Sequence, residues 1–280
     1  EGLGNKFLAH IRETDAIAHI VRCFEDDDIT HVSGRIDPIS DIEIIDTELG
    51  LADLDTAEKA HEKVSKQTRS GDKEAKRLAE LLARVSAHLG EGKPLRTMDL
   101  SAEERVSLAP WQFITDKPQL YVANVADQDL EDNQHVKAVR EYAQAHDAEV
   151  VVLSAALEAE LSQLDPADQA EFLADLGQTE PGLNRLIRAG YALLDLLTFF
   201  TAGPKEVRAW TVARGATAPK AAGRIHTDFE KGFIRAEVTA FDDYLSCGGE
   251  AGAKAAGKLR LEGKDYVVCE GDVMHFRFNV

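Results

Sequence analysis

"YVANVAD" (residues 121–127) and "VVLSAAL" (residues 151–157) decide the fold. Each is a short apolar run ending in small polar residues, the pattern of a strand buried on both faces that runs out into a loop. Between them "NQHVKAVREYAQAH" (residues 133–146) carries its apolar residues at helical spacing. Strand, helix and strand in that order predict a β-α-β unit, whose ligand-binding loops lie at the carboxyl ends of the strands. Chemistry is therefore expected just past each run.

The first run delivers Asn124 and, three residues on, Asp127, the spacing of the N-K-x-D base-reading loop of GTPases with Val125 in the lysine's place. The second delivers Ser154, Ala155 and Ala156, which resemble the S-A-K loop that completes a purine pocket. A carboxylate at Asp127 can accept both guanine N1–H and the exocyclic N2–H, while Asn124 braces neighbouring loops and backbone N–H groups meet the base. The same residues also suit an ordinary strand-to-loop turn in which Asn and Asp cap the next helix.

Outward from this unit the chain shows two further patterns. Upstream, "IAHIVRCF" reads as a buried strand after a Gly-rich loop tail, followed by the acidic loop "EDDDITHVSG" and a turn at Pro38. "TELGLADLDTAEKAHEKVSKQTR" and "KEAKRLAELLARVSAHL" then read as helices broken at "SGD", with Leu78, Leu81, Leu82, Val85 and Leu89 forming one stripe. They predict an antiparallel helical hairpin. Downstream, "EPGLNRLIRAGYALLDL" predicts a helix burying Leu183, Leu186, Ile187 and Leu194. The last 80 or so residues alternate instead. "KEVRAWTVARG" and "FIRAEVTAF" read as strands, and "TAPKAAGRIHTDFEKG" as a helix capped by Thr217. "KDYVVCEGDVMHFRFNV" reads as a hairpin about its Glu-Gly-Asp turn, so a small β-grasp-like α+β domain is expected.

"GAKAAGKL" (residues 252–259) has the G-x-x-x-x-G-K spacing of a phosphate-binding P-loop. Leu259 stands where that loop needs a Ser or Thr for Mg²⁺, and no buried strand precedes it. It reads as a Gly/Ala connector.

The totals narrow the classes. Cys23, Cys247 and Cys269 form neither a C-x-x-C pair nor a metal cluster, so a reducing compartment is expected, and no apolar run approaches a membrane span. The net charge of −18 argues against indiscriminate nucleic-acid binding. It is uneven: residues 198–280 hold 12 Lys and Arg against 11 Asp and Glu, and residues 1–197 hold 20 against 39. A near-neutral C-terminal unit can approach phosphate where the acidic body would be repelled. Simple compositional drift between two domains accounts for the asymmetry equally well.

The stretches "EGLGNKFLAHIRETDAI", "HIVRCFEDDDITHVSGRIDP", "TELGLADLDTAEKA", "AWTVARGATAPKAAGRIHTDFEKGFIRAEV" and "EGKDYVVCEGDVMHFRFNV" resemble the YchF family, the Obg-like ATPases, over essentially the whole chain. The resemblance implies an α/β fold: a P-loop NTPase-type parallel sheet, interrupted by an antiparallel helical coiled-coil domain and followed by a β-grasp TGS domain. Its parts would span residues 1–46, 47–110, 111–197 and 198–280. It also implies that the P-loop, the first switch and the Mg²⁺ ligands lie before residue 1, so that this stretch holds an incomplete sheet.

By the same resemblance Asn124 and the backbone of Val125 contact the base, with Ala155 and Ala156 opposite. The family usually carries Asn-x-x-Glu and prefers ATP; Asp127 departs toward the guanine-reading form, so ATP or GTP is the expected nucleotide. His31 matches a histidine proposed to orient water, although a lone histidine in an acidic loop reads on its own as solvated surface. His226 and His275 read as structural. The implied whole is a cytoplasmic nucleoside triphosphatase associated with the ribosome or its RNA, with neither a membrane nor sequence-specific DNA as partner. The alternative is a ribosome- or RNA-binding module that acts through the helical and C-terminal domains, using Arg208, Arg214, Lys220, Arg224, Lys231 and Arg235.

Overall fold

A computed structural model describes residues 4–32, 34–68, 72–130 and 133–279. Its contacts divide the chain into two units, residues 1–193 and 194–280. In the first, helix α1 (Asn5–Glu13) leads into strand β1 (Ile17–Arg22) and the long helices α2 (Pro38–Gln67) and α3 (Lys73–Gly90). Helix α4 (Ala102–Leu108), strand β2 (Gln119–Asn124), helix α5 (Gln134–Ala145) and strand β3 (Glu149–Leu153) follow. Helices α6 (Ala155–Leu161), α7 (Pro166–Asp175) and α8 (Gly182–Leu193) end the unit.

The three strands form a parallel sheet in the order β1-β2-β3. Strand β2 is central, so both faces must be apolar, which is why it reads as a continuous run. Tyr121, Ala123 and Val152 pack with Ile42 of α2 and Val136 and Val139 of α5. Leu120, Val122, Val151 and Leu153 pack on the other face with Ala189 of α8.

Helix α2 begins nine residues earlier than the sequence reading, which starts it at Thr47. Asp37 caps it by accepting from Ser40 N at 3.1 Å, and Pro38 occupies the first turn, where no N–H is needed. Asp72 caps α3 in the same way, accepting from Glu74 N at 2.8 Å and Ala75 N at 3.3 Å. The two helices pack as the apolar stripe requires: Leu81, Leu82, Val85 and Leu89 bury against Ala57, Ala60 and Val64. The Gly-rich start also differs from the sequence reading, since a helix rather than a loop tail begins at Asn5.

The root of the hairpin is fixed by one buried carboxylate. Asp53 on α2 accepts from Ile114 N (3.0 Å), Thr115 N (2.7 Å), Thr115 Oγ1 (2.8 Å) and Arg12 Nη1 (3.0 Å). Arg12 of α1 also donates to Thr56 Oγ1, Ala52 O and Gln112 O. One node thus joins α1, α2 and the segment that enters β2.

The expected burial of Leu183 and Ile187 is wrong: they are 50 % and 49 % exposed, and Leu194 lies past the helix, half-buried. The stripe that faces the sheet runs instead through Gly182, Leu186, Ala189 and Leu193. Gly182 sets this rotation, because a Cβ there would lie 2.7 Å from Leu153 Cβ.

The second unit is a five-stranded mixed sheet. Strands β4 (Leu196–Ala202) and β5 (Val207–Ala213) form a hairpin, helices α9 (Ala218–Ile225) and α10 (Thr227–Lys231) follow, and β6 (Phe233–Ala240) comes next. Helices α11 (Phe241–Ser246) and α12 (Glu250–Ala255) lead to β7 (Arg260–Glu262) and β8 (Asp272–Phe278). The order is β5-β4-β8-β6-β7, with β4 and β8 parallel. Ala218, Ala221 and Ala222 bury α9 with Phe199, Val238 and Phe276.

Three expectations change here. Residues 264–271 do not pair with β8 as a hairpin, because both edges of β8 are taken, by β4 and β6. They run instead past the start of α9, where Tyr266 O accepts from Ala218 N at 2.8 Å. That backbone contact serves the end of α9 that Thr217 was expected to cap; the Thr217 side chain makes no cap bond. The predicted single helix also breaks at His226, extended at φ −160°, whose ring accepts from Asp228 N and caps α10.

Replacing Asp53 by Ala leaves the Arg12 charge without its partner and is expected to cost about 3–5 kcal/mol; Leu82→Ala is expected to cost about 2–5 kcal/mol. Ile187→Ala, on the exposed side of α8, is expected to stay within about 0.5 kcal/mol. Urea denaturation of the three variants checks the ranking, and an Ile187 effect as large as that of Leu82 would overturn the α8 orientation.

Candidate functional site at the strand tips

Parallel pairing brings Arg22, Asn124 and Leu153 into register at the carboxyl ends of β1, β2 and β3. The backbone knits the exits together, with Val125 N donating to Leu153 O at 3.0 Å and Cys23 N to Asn124 O at 2.8 Å. Two side-chain bonds then cross between the loops. Asn124 Oδ1 accepts from Ala155 N at 2.9 Å, and the Ser154 hydroxyl donates to Asp127 Oδ1. Ser154 is buried and also caps α6, accepting from Leu157 N at 3.4 Å. Val125 is buried, while Asp127, Ala155 and Ala156 face solvent.

Six of the seven residues singled out in the sequence therefore meet at one edge of the sheet. Each carboxylate oxygen has two acceptor sites, so Asp127 keeps capacity for ligand N–H groups while bonded to Ser154. Two residues that the sequence reading missed complete the edge. Asn133 caps α5, accepting from Val136 N at 2.9 Å, and its amide donates to Cys23 O at 2.8 Å. Arg22 folds back on the next loop, donating to Phe24 O, Asp26 O and Ile29 O. An Asn just before an amphipathic run is a legible cap signal; its reach to Cys23, 110 residues away, is not. Burial pushes the Cys23 thiol up to about 12, which makes it an inert core group.

Comparison with known proteins fits this arrangement. Residues 196–279 match a family model described as "YchF-GTPase_C: Protein of unknown function (DUF933)". The chain is 58 % identical over 280 residues to the "Ribosome-binding ATPase YchF" of Haemophilus influenzae, covering all of this chain and 77 % of that protein. The protein of the same name from Bacillus subtilis is 52 % identical over 283 residues, with 77 % of its length covered. The chain belongs to the YchF family. Its fold superposes on the solved structure of the Schizosaccharomyces pombe YchF GTPase with a TM-score of 0.85 at 34 % identity, covering 99 % of this chain and 75 % of that one.

In this YchF-family chain His31 is held against α2, its Nε2 2.9 Å from Asp41 Oδ2, and its side chain is 17 % exposed. It is not the solvated surface residue that an acidic loop suggests. The P-loop-like "GAKAAGKL" straddles the short helix α12 and a turn, and Gly252 is required there because a Cβ would lie 1.8 Å from Cys247 O. It is a connector.

A separate cavity of about 420 Å³ lies at the hairpin root, lined by apolar Leu49, Leu54 and Leu89 and by polar Asp46, Arg96 and Tyr142. Burial raises the Asp46 carboxyl above its ordinary value and pushes the Tyr142 phenol up to about 12. Nearby on β1, His19 sits 5.8 Å from the Tyr121 ring, and burial lowers its pKa against the weaker opposing pull of Asp46 and Asp41.

A histidine whose native pKa is depressed contributes stability that is present above its unfolded value, about 6.5, and is lost as pH falls through the native value. His19→Gln is therefore expected to flatten the fall in stability below about pH 6.5. Urea midpoints measured across that range for both proteins check it, and parallel curves would refute it.

Proposed function

We propose that the strand tips form the base-recognising part of a purine nucleotide hydrolase of the translation-associated class, taking ATP or GTP. The observation that supports this reading is the pair of cross-loop bonds, Asn124 to Ala155 and Ser154 to Asp127. They hold one carboxylate and two exposed alanines around the space past two adjacent strands, with no side-chain entropy left to lose on binding at Ser154. Guanine offers two adjacent N–H groups to Asp127, whereas adenine offers one amino group beside an acceptor nitrogen, so the carboxylate favours guanine and Val125 is neutral between them.

The residues at the tips fit a base and do not fit Mg²⁺, which asks for several oxygens in near-octahedral array. On this reading the phosphate and metal groups come from residues outside 1–280, and the helical hairpin and C-terminal unit are the coiled-coil and TGS domains of the family. His31, oriented by Asp41, is the candidate for positioning the attacking water. The names of the bacterial relatives extend the proposal to ribosome association. In the second unit, three of the six basic residues named for that contact are already engaged: Arg214 with Asp195, Lys220 with Glu230 and Arg224 with Thr211 O. Arg208, stacked 4.1 Å over the Trp210 ring, is the better platform for an RNA base or a partner chain.

Calorimetry with ATP and with GTP tests the base site, on residues 1–280 and on a protein extended to the length of the bacterial relatives. The extended protein is expected to bind at micromolar concentration and residues 1–280 far more weakly. Asp127→Ala in the extended protein is expected to lower GTP affinity at least about tenfold while changing ATP affinity less. Binding of both nucleotides unaltered by Asp127→Ala and Asn124→Ala would remove the tips from the site.

A further inference from the structure

His275 reads from sequence as structural, yet its surroundings in the second unit are those of a ligand. It stands on β8 directly opposite Glu237 on β6 in antiparallel register, so the two side chains leave the sheet on the same face. Glu250, the first residue of α12, comes over that face, and one ligand atom from each of the three lies within 4.8 Å of the other two. The space they enclose with Thr239, Tyr244 and Met274 is about 10 Å³, the room of a single ion or water and no more.

From this geometry we infer that Glu237, Glu250 and His275 form a site for one divalent transition-metal ion, with Zn²⁺ as the ion held best. Two hard carboxylate oxygens with one borderline imidazole nitrogen make a mixed set that suits Zn²⁺ or Co²⁺, whereas Ca²⁺ takes oxygens alone and Cu(I) takes sulfur. Three protein ligands leave a fourth position for water. The electrostatics agree with the geometry. Two carboxylates this close repel one another, and among the described residues only Glu237 is held by a basic side chain, Arg277, whose Nε and Nη2 lie 3.3 and 3.2 Å from its oxygens. That guanidinium holds the Glu237 carboxyl below its ordinary value and leaves lone pairs for an ion. A hydrogen-bonded carboxylate is the usual state of a metal ligand, because the outer partner fixes its orientation.

The placement of Glu250 follows from the glycines around it. Gly249 takes φ 108° and ψ −173°, a conformation closed to other residues, and Gly252 lets α12 approach Cys247 O. Without the ion, the 241–259 crossover is tied to the sheet by such contacts as Phe200 with Phe241, whose ring centroids lie 5.5 Å apart. With it, the crossover gains a bond to two strands at once.

Zinc chloride titrated by calorimetry into the chelator-dialysed 280-residue chain is expected to show one site of micromolar affinity. Cobalt(II) is expected to give visible d–d absorption of a four- or five-coordinate ion. Glu250→Gln and His275→Gln, both at exposed positions, are each expected to weaken binding at least about tenfold with an unchanged circular dichroism spectrum. Cys269→Ser is expected to leave binding as it is. Affinity no better than millimolar, unchanged affinity in the Glu250 and His275 variants, or a cobalt spectrum dominated by thiolate charge transfer that disappears on cysteine replacement would each overturn the assignment.

Discussion

A parallel pair of strands cannot be closed by a tight turn, and here the crossover from β1 to β2 takes up all of residues 23–118, including the whole helical hairpin. Chain entropy alone tolerates such an insertion, because closure cost grows only with the logarithm of length. What it does not supply is register, and a slip of one residue would turn every buried side chain of β2 toward the wrong face. Asp53 supplies it. Its carboxylate takes the backbone N–H groups of Ile114 and Thr115 a few residues before β2, while Arg12 draws in the helix that precedes β1. The same node that roots the hairpin therefore holds in place the two chain segments that lead into β1 and β2, in whose ladder Arg22 stands opposite Asn124.

A buried carboxylate is destabilising unless every oxygen is satisfied, and Asp53 is met by four donors, three of them rigid backbone or short side-chain groups. Such an arrangement makes the geometry of the strand tips insensitive to whatever bends the distal hairpin, since the tips lie on the sheet side of the node. Helix α2 is legible in the sequence only from residue 47 onward. Its first turns are specified by the Asp37 cap, by Pro38 and by the burial of Ile42 against the sheet rather than by a continuing stripe.

The legible parts of the chain are those in which one physical signal dominates. Strands β2 and β3 are buried on both faces and end in polar residues, and the α3 stripe has no competing face. Where two readings had equal pattern support, packing decided. In "GLNRLIRAGYAL" the apolar residues trace two stripes, and the one containing Gly182 and Ala189 wins because small residues let the helix approach Leu153. In "KDYVVCEGDVMHFRFNV" the local turn chemistry favours a hairpin, yet β4 and β6 hold both edges of β8, a long-range fact without local trace. The same blindness hid the pairing of Glu237 with His275, which are 38 positions apart in sequence and opposite in register.

Ser154 shows why turn chemistry and site chemistry cannot be told apart at the strand tips from spacing alone. Its hydroxyl accepts from Leu157 N as an ordinary helix cap and donates to Asp127 across the gap between two loops. A hydroxyl has one proton and two lone pairs, so both roles are served without competition. Asn124 is likewise both a loop brace, through Ala155 N, and the residue placed nearest the strand exit. Because the donor and acceptor of each cross-loop bond belong to the exits of different strands, the loops form a rigid edge only when the sheet register is correct. An edge built this way depends on the fold that carries it, and it leaves the Asp127 carboxylate facing solvent.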